Sequence, residues 1–229
     1  MPIVDRPSPN HGPRPTGRTV DMLILHYTGM PTAAAALDRL CDAAAQVSAH
    51  YLIDEDGTAY RLVDEARRAW HAGVSCWQGA TDINDRSIGI ELVNPGHEWG
   101  YRPFPEPQMQ ALIALCRGIL ARHPIPPVRV LGHSDVAPAR KDDPGELFDW
   151  RRLAAAGIGV WPAAPAGAGT ATVAAMQALL GRIGYCVPDH GAADAATVAA
   201  VRAFQRHFRP ERCDGIIDAE TAALAAALA

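Results

Sequence analysis

The chain has 229 residues, a formal net charge of -4, and 48% hydrophobic against 20% charged residues. That is enough apolar material for one ordinary core and a small second one. The negative balance gives no reason to expect nucleic acid as a partner, and no stretch approaches about 18 uninterrupted apolar residues, so no membrane span is expected.

The first ten residues, Met1-Pro-Ile-Val-Asp-Arg-Pro-Ser-Pro-Asn10, have neither the apolar region nor the small-residue cleavage site of a secretory signal, and the expectation is a cytoplasmic monomer. Cys41, Cys76, Cys116, Cys186 and Cys213 are odd in number and widely spaced, with no C-x-x-C pair. They are read as free, small core residues in a reducing compartment.

Met22-Leu-Ile-Leu25 is a short apolar run that closes on His26, as expected of a buried strand. A helix is predicted over 33–45. Further strands are expected at Tyr51-Leu-Ile53, Ile88-Gly-Ile-Glu-Leu-Val93 and Val128-Arg-Val-Leu131. Over 107–122, Met109, Leu112, Ile113, Cys116, Ile119 and Leu120 fall on one helical face, and Pro107 suits the first turn. Strands mixed with helices give an α/β class with a mixed central β-sheet flanked by helices.

Residues 161–170, Trp-Pro-Ala-Ala-Pro-Ala-Gly-Ala-Gly-Thr, carry no charge and no apolar period, and read as a linker between 1–160 and 171–229. Downstream, Val173, Met176, Leu179, Leu180 and Ile183 form one stripe, and Val198, Val201, Phe204 and Phe208 another. Asp-x-x-Thr occurs at Asp194 and at Asp218, each time before an apolar helical pattern, where the carboxylate caps first-turn amides. A small three-helix domain follows, with Met176, Phe204 and Phe208 in its core.

Two histidines stand at strand ends: His26, and His133 after Val128-Arg-Val-Leu-Gly132. A catalytic zinc takes three protein ligands, commonly imidazoles with a carboxylate, and leaves the fourth position open. The carboxylate has to come from Asp135, Asp142 or Asp143, and spacing does not choose among them. No His-Glu-x-x-His helix is present to support a zinc peptidase of that class.

Five motifs resemble the zinc N-acetylmuramoyl-L-alanine amidases, a family related in fold to peptidoglycan recognition proteins. They are Leu25-His-Tyr-Thr28, Ser48-Ala-His-Tyr-Leu-Ile53, Ala69-Trp-His-Ala-Gly73, Asn84-Asp-Arg-Ser-Ile-Gly-Ile-Glu91 and Gly132-His-Ser-Asp-Val-Ala-Pro-Ala-Arg-Lys-Asp-Asp-Pro-Gly145, in the family's order. The resemblance implies Zn2+ held by His26, His133 and Asp143, since the family's ligand immediately precedes Pro-Gly. It also implies Glu91 as general base and Lys141 as the cation that stabilises an oxyanion. The alternative for Lys141 is an ion pair with Asp142. His71, Asn84 and Tyr27 are candidate substrate contacts, with His71 in the cleft wall. His11, His97, His123, His190 and His207 match no motif and are read as solvated. Ala139 and Arg86 depart from the family's usual residues, the first without consequence for the metal and the second in a substrate-contact region.

Residues 173–228 resemble the three-helix peptidoglycan-binding domain, through Met176-Gln177, Gly184-Tyr185, Phe204-Gln205 and Asp214-Gly215 among others. Binding there is expected to use exposed residues around the Gly184-Tyr185 turn. The function implied is hydrolysis of the amide between (anhydro-)N-acetylmuramic acid and the L-alanine of the stem peptide, in peptidoglycan recycling or turnover. The partners implied are muropeptides or polymeric peptidoglycan. The competing reading is a muropeptide-binding or sensing protein of the same fold that does not cut.

Overall fold

The computed structural model describes residues 3–163 and 171–229; most of the expected linker, residues 164–170, lies outside the described residues. In chain order the elements are β1 (Ile3–Asp5), β2 (His11–Pro13), β3 (Met22–Tyr27), α1 (Ala33–Cys41), β4 (Tyr51–Ile53), β5 (Ala59–Arg61), β6 (Arg67–Ala69) and β7 (Ser87–Leu92). There follow α2 (Gly96–Trp99), α3 (Glu106–Arg122), β8 (Val130–Gly132), α4 (His133–Val136), α5 (Trp150–Ala155), α6 (Val173–Ile183), α7 (Ala195–Phe208) and α8 (Ala219–Leu228).

Six strands form one sheet in the order β1-β5-β4-β7-β3-β8. Only the β4–β5 pair is antiparallel, so the sheet is mixed, as expected. The apolar runs at β3, β4 and β7 lie in its centre, where both faces are covered, which is why they read as near-continuous hydrophobic segments. β1, β2, β5 and β6 are three residues each, too short to show a period, and sequence reasoning misses them.

The helix expected over 33–45 breaks at Asp42, whose carboxylate accepts from the Ala44 amide at 2.9 Å and starts a separate 3-10 turn. Pro126 and Pro127 likewise put a 3-10 turn at Pro127–Arg129, so the strand expected from Val128 starts at Val130. In α3 Met109, Leu112, Cys116 and Ile119 of the predicted face are buried, joined by Ala111 and Leu115, while Ile113 and Leu120 are half-buried; Pro107 lies in the first turn. Gln108 joins it because its amide donates to Ile53 O at 2.9 Å and Val93 O at 3.0 Å, tying the helix to two strand ends.

Alternation along the central strands divides the interior. Leu23, Leu25, Ile88 and Ile90 pack towards α3. Met22 and Ile24 pack on the other face with Met176, Leu180, Phe204 and Phe208 of α6 and α7. The three downstream helices form as expected, and Asp194 and Asp218 cap α7 and α8 by accepting from the amides of Thr197 at 2.8 Å and Thr221 at 2.9 Å. Their apolar stripes share a core with the sheet instead of closing on themselves. A unit of this size buries only about 60% of its unfolded surface by itself, and the sheet face adds apolar contact to it.

The expectations for the cysteines and for two of the histidines are corrected here. Cys76 and Cys186 form a disulfide across 110 residues of sequence, leaving Cys41, Cys116 and Cys213 free. Spacing along the chain cannot reveal a pair made by tertiary approach. The Gly184-Tyr185 turn, around which ligand contacts are expected, is itself covered: Gly184 O accepts from Gln78 N at 2.8 Å, and a Cβ on Gly184, at φ +138°, would stand 2.5 Å from the Trp77 ring. His207 is buried, not solvated, with its ring stacked on Trp150 at 3.7 Å and its Nδ1 2.7 Å from Asp135 Oδ2. His123 is also partly buried, with Nε2 2.7 Å from Glu65 Oε2. No described helix is long and apolar enough to cross a membrane.

Candidate active site

His26 ends the buried strand β3, His133 opens α4 immediately after β8, and Asp143 lies ten residues further on. β3 and β8 are paired, so the two strand ends carry both imidazoles to one point. The loop returns Asp143 to them, fixed where Ser134 N donates to Asp143 O at 2.9 Å. His26 Nδ1 lies 3.0 Å from His133 Nδ1, and Asp143 Oδ2 lies 3.0 Å from the first and 3.1 Å from the second. All three residues are buried. Asp142, left open by spacing, instead pairs with Arg206, and Asp135 turns away to His207 and Tyr185.

The partners of these rings assign their protons. Ser87 Oγ donates its single hydrogen to Ile83 O at 2.7 Å, and therefore accepts from His71 Nε2 at 3.1 Å. His71 Nδ1 then accepts from His26 Nε2 at 3.0 Å, which leaves a bare lone pair on His26 Nδ1. On the other side His133 Nε2 donates to Ala72 O at 3.0 Å, leaving a lone pair on His133 Nδ1. Two lone pairs and a carboxylate oxygen converge on one buried spot. Such a donor set repels itself unless a cation lies between its members, and two imidazoles with one carboxylate suit zinc. Burial and the neighbouring His133 lower the His26 pKa to about 4, so the ring is neutral at physiological pH.

Glu91 stands opposite His26 in the register of β7 with β3. Its Oε2 is shielded from solvent and has no hydrogen-bond partner. Burial, and then the charge of Asp143, push its pKa well above the usual value, against the opposing pull of Lys141. A cleft of about 540 Å³ opens over these groups, lined among others by Tyr27, Trp70, Glu91 and Lys141. Among the described residues no carboxylate forms an ion pair with Lys141. The alternative partner, Asp142, is taken by Arg206 at 2.5 Å.

The matching family model, described as N-acetylmuramoyl-L-alanine amidase, spans residues 16–146, and a second, described as a putative peptidoglycan binding domain, spans 170–224. The chain belongs to the N-acetylmuramoyl-L-alanine amidase family. This amidase is 44% identical to the N-acetylmuramoyl-L-alanine amidase AmiD of Escherichia coli over 91% of its own length and 82% of that protein. It is 36% identical to the 1,6-anhydro-N-acetylmuramyl-L-alanine amidase AmpD of Escherichia coli, over 64% of its own length and 87% of that protein. The structure of E. coli AmiD in complex with the substrate anhydro-N-acetylmuramic acid-L-Ala-D-gamma-Glu-L-Lys matches with a TM-score of 0.82 at 40% identity, covering 97% of this chain and 91% of that one. The structure of AmpDh3 from Pseudomonas aeruginosa in complex with anhydromuramic pentapeptide matches with a TM-score of 0.79 at 36% identity, covering 93% of each chain.

In this amidase the other expected site residues divide. Tyr27 lines the cleft, with its hydroxyl 3.0 Å from His97 Nδ1. His71 borders the cleft, but both ring nitrogens are engaged, by His26 and Ser87. Asn84 is outside the cleft. Its Oδ1 accepts from His71 N at 3.1 Å and Ala72 N at 2.9 Å, holding the segment that carries His71 and the Ala72 carbonyl. Arg86 binds Asp21 and takes no part in the cleft. His50 is buried behind the site, where its Nδ1 accepts from Gly89 N at 3.0 Å.

Sequence reasoning missed Ser87 and Gly89. A Cβ on Gly89 would lie 2.5 Å from His71 Cγ, so the strand needs glycine for the ring to pass. The signal was a glycine inside an otherwise apolar strand, which marks a close approach.

Proposed function

We propose that the chain is a zinc-dependent hydrolase of the amide between the lactyl group of (anhydro-)N-acetylmuramic acid and the L-alanine of the stem peptide. His26, His133 and Asp143 hold the metal. The observation that carries this reading is the set of two unprotonated Nδ1 atoms and one carboxylate oxygen within 3.1 Å of one another, beneath a cleft that holds an unpartnered glutamate.

When bound, zinc supplies Lewis-acid polarisation of the scissile carbonyl and of a water molecule. Glu91 takes a proton from the attacking water as the new C–O bond forms. It returns that proton to the L-alanine nitrogen as the C–N bond breaks, giving a lactyl carboxylic acid and a free amine. Burial and the nearby Asp143 charge raise its pKa, which makes its carboxylate a stronger proton acceptor than an exposed one. The Lys141 ammonium balances the negative charge that develops on the carbonyl oxygen. Tyr27 and Trp70 line the same cleft and contact the muropeptide.

We place the protein's work in peptidoglycan turnover, on anhydro-muropeptides or the polymer itself. The Cys76–Cys186 disulfide argues against the reducing cytosol as its workplace, because such bonds persist in oxidising compartments. To test the activity, zinc-loaded protein is incubated separately with soluble anhydro-muropeptide and with purified sacculi, and the products are identified by mass spectrometry. Free stem peptide beginning with L-alanine is expected. Its absence from both incubations returns the protein to the reading of a non-cutting binder.

A further inference from the structure

We infer that the C-terminal helical unit is a positioning element of the metal centre, acting through Tyr185, Arg206 and His207 on the segment 133–143 that carries two of the three ligands.

The segment is gripped at both ends. At the His133 end, Asp135 lies inside the single turn of α4 that His133 opens. Its carboxylate receives the Gly132 amide at 2.7 Å, the Tyr185 hydroxyl at 2.5 Å and His207 Nδ1 at 2.7 Å. Two of these three donors belong to the C-terminal unit. Asp135 is about 1% exposed, so no water replaces a lost donor cheaply. At the Asp143 end, Arg206 pairs with Asp142 at 2.5 Å, one residue before the ligand. Ser134 N donates to Asp143 O at 2.9 Å, so the two ends are linked and a shift of one moves the other.

The unit is itself fixed. The His207 ring is stacked between Trp150 at 3.7 Å and Phe208 at 3.9 Å. Cys186 is bonded to Cys76, and the Cys76 amide donates to Val136 O at 2.7 Å, at the end of α4. The contacts therefore run from a covalently pinned, close-packed body onto a short turn and a loop. His26, by contrast, is set by the centre of the sheet and owes nothing to these contacts. A linkage of this kind holds ligands at the separation the metal requires, and outer partners of metal ligands commonly carry about 10-fold to 100-fold in affinity.

The inference rests on the metal-centre reading. Its test uses the full chain with the disulfide intact, and measures zinc affinity by competition with a chromophoric chelator. Y185F/H207F keeps both aromatic rings in place and removes both donors to Asp135. The expectation is a zinc Kd raised about tenfold or more, with the far-ultraviolet circular dichroism of the metal-free protein unchanged. Arg206→Gln is expected to raise the Kd about threefold and to alter the visible spectrum of the cobalt(II)-loaded protein, with Arg206→Lys restoring both. If the double variant does not fold, Tyr185→Phe, which removes one hydroxyl, takes its place with an expected threefold rise. Zinc affinity within twofold of the parent in a folded variant, with an unchanged cobalt spectrum, overturns the inference. A parent chain that binds no zinc overturns the metal reading itself, and this inference with it.

Discussion

His26 and Glu91 are register partners on the neighbouring parallel strands β3 and β7, so the sheet presents an imidazole of the His26-His133-Asp143 cluster and an unpartnered carboxylate side by side on one face. Their separation of roles gives the first prediction. Glu91 touches none of the ligand atoms through a hydrogen bond, whereas His133 supplies one of them. Glu91→Gln is expected to bind zinc like the parent and to lose about 10²-fold to 10⁴-fold in turnover. Near-normal turnover by that variant would remove Glu91 from the mechanism.

Metal removal follows the same geometry. Dialysis against a strong chelator should abolish hydrolysis, and one equivalent of zinc should restore it. His133→Ala should fail both in zinc titration and in the product assay, because two donors of the three remain. Activity that survives complete chelation would show that the cluster serves structure only.

Gly89 allows a sharper test of the proton assignments. An alanine there places Cβ 2.5 Å from His71 Cγ, and a ring held by His26 and Ser87 has nowhere to move without breaking one of those bonds. His26 would then lose the partner that keeps its Nδ1 free of a proton. The expected result for Gly89→Ala is a zinc Kd raised about tenfold; an unchanged Kd would mean that His71 does not orient the ligand.

What the sequence discloses and what it conceals divide by the range of the interaction. The central strands, α3 and the caps at Asp194 and Asp218 are local patterns, and they form where the residues predict. His26 and His133 are suggested as ligands by their places at strand ends. Asp143 is not separable from Asp135 and Asp142 by spacing; only the resemblance to known amidases singles it out, and the fold then turns the other two aside. The disulfide, the burial of His207 and the covered Gly184-Tyr185 turn depend on contacts between segments 50 or more residues apart. No local period encodes them. Ser87 escaped notice because a serine at the start of a strand looks like a boundary residue, and its function is visible only with His71 above it.

The disulfide joins two segments that also share a hydrophobic core. Closing a loop of this length removes disorder from the unfolded chain, and such bonds contribute about 2–4 kcal/mol. C76S/C186S is expected to unfold at correspondingly lower urea concentration than the parent. Reductant should lower the midpoint of the parent towards that of the variant and leave the variant unchanged. A parent insensitive to reductant would mean that the thiols are not bonded in solution.

The last prediction concerns acid stability and uses His50, which sits outside the metal cluster. Burial, with the Arg14 guanidinium beside it, lowers its pKa to about 3 from an ordinary 6.5, and its Nδ1 must stay unprotonated to accept from Gly89 N. Unfolding exposes the ring, which then takes up a proton anywhere below about pH 6.5. The unfolded state thus binds one more proton than the folded state between the two values, and stability falls as the pH is lowered through that window. The slope from this one group is about 1.4 kcal/mol per pH unit. His50→Gln should be less stable than the parent at pH 7 but should lose stability less steeply, by about that slope, when metal-free protein is unfolded in urea at several pH values between 6.5 and 4. Equal slopes in the two proteins would mean that His50 is protonated in the folded state, and that its hydrogen bond from Gly89 is not made.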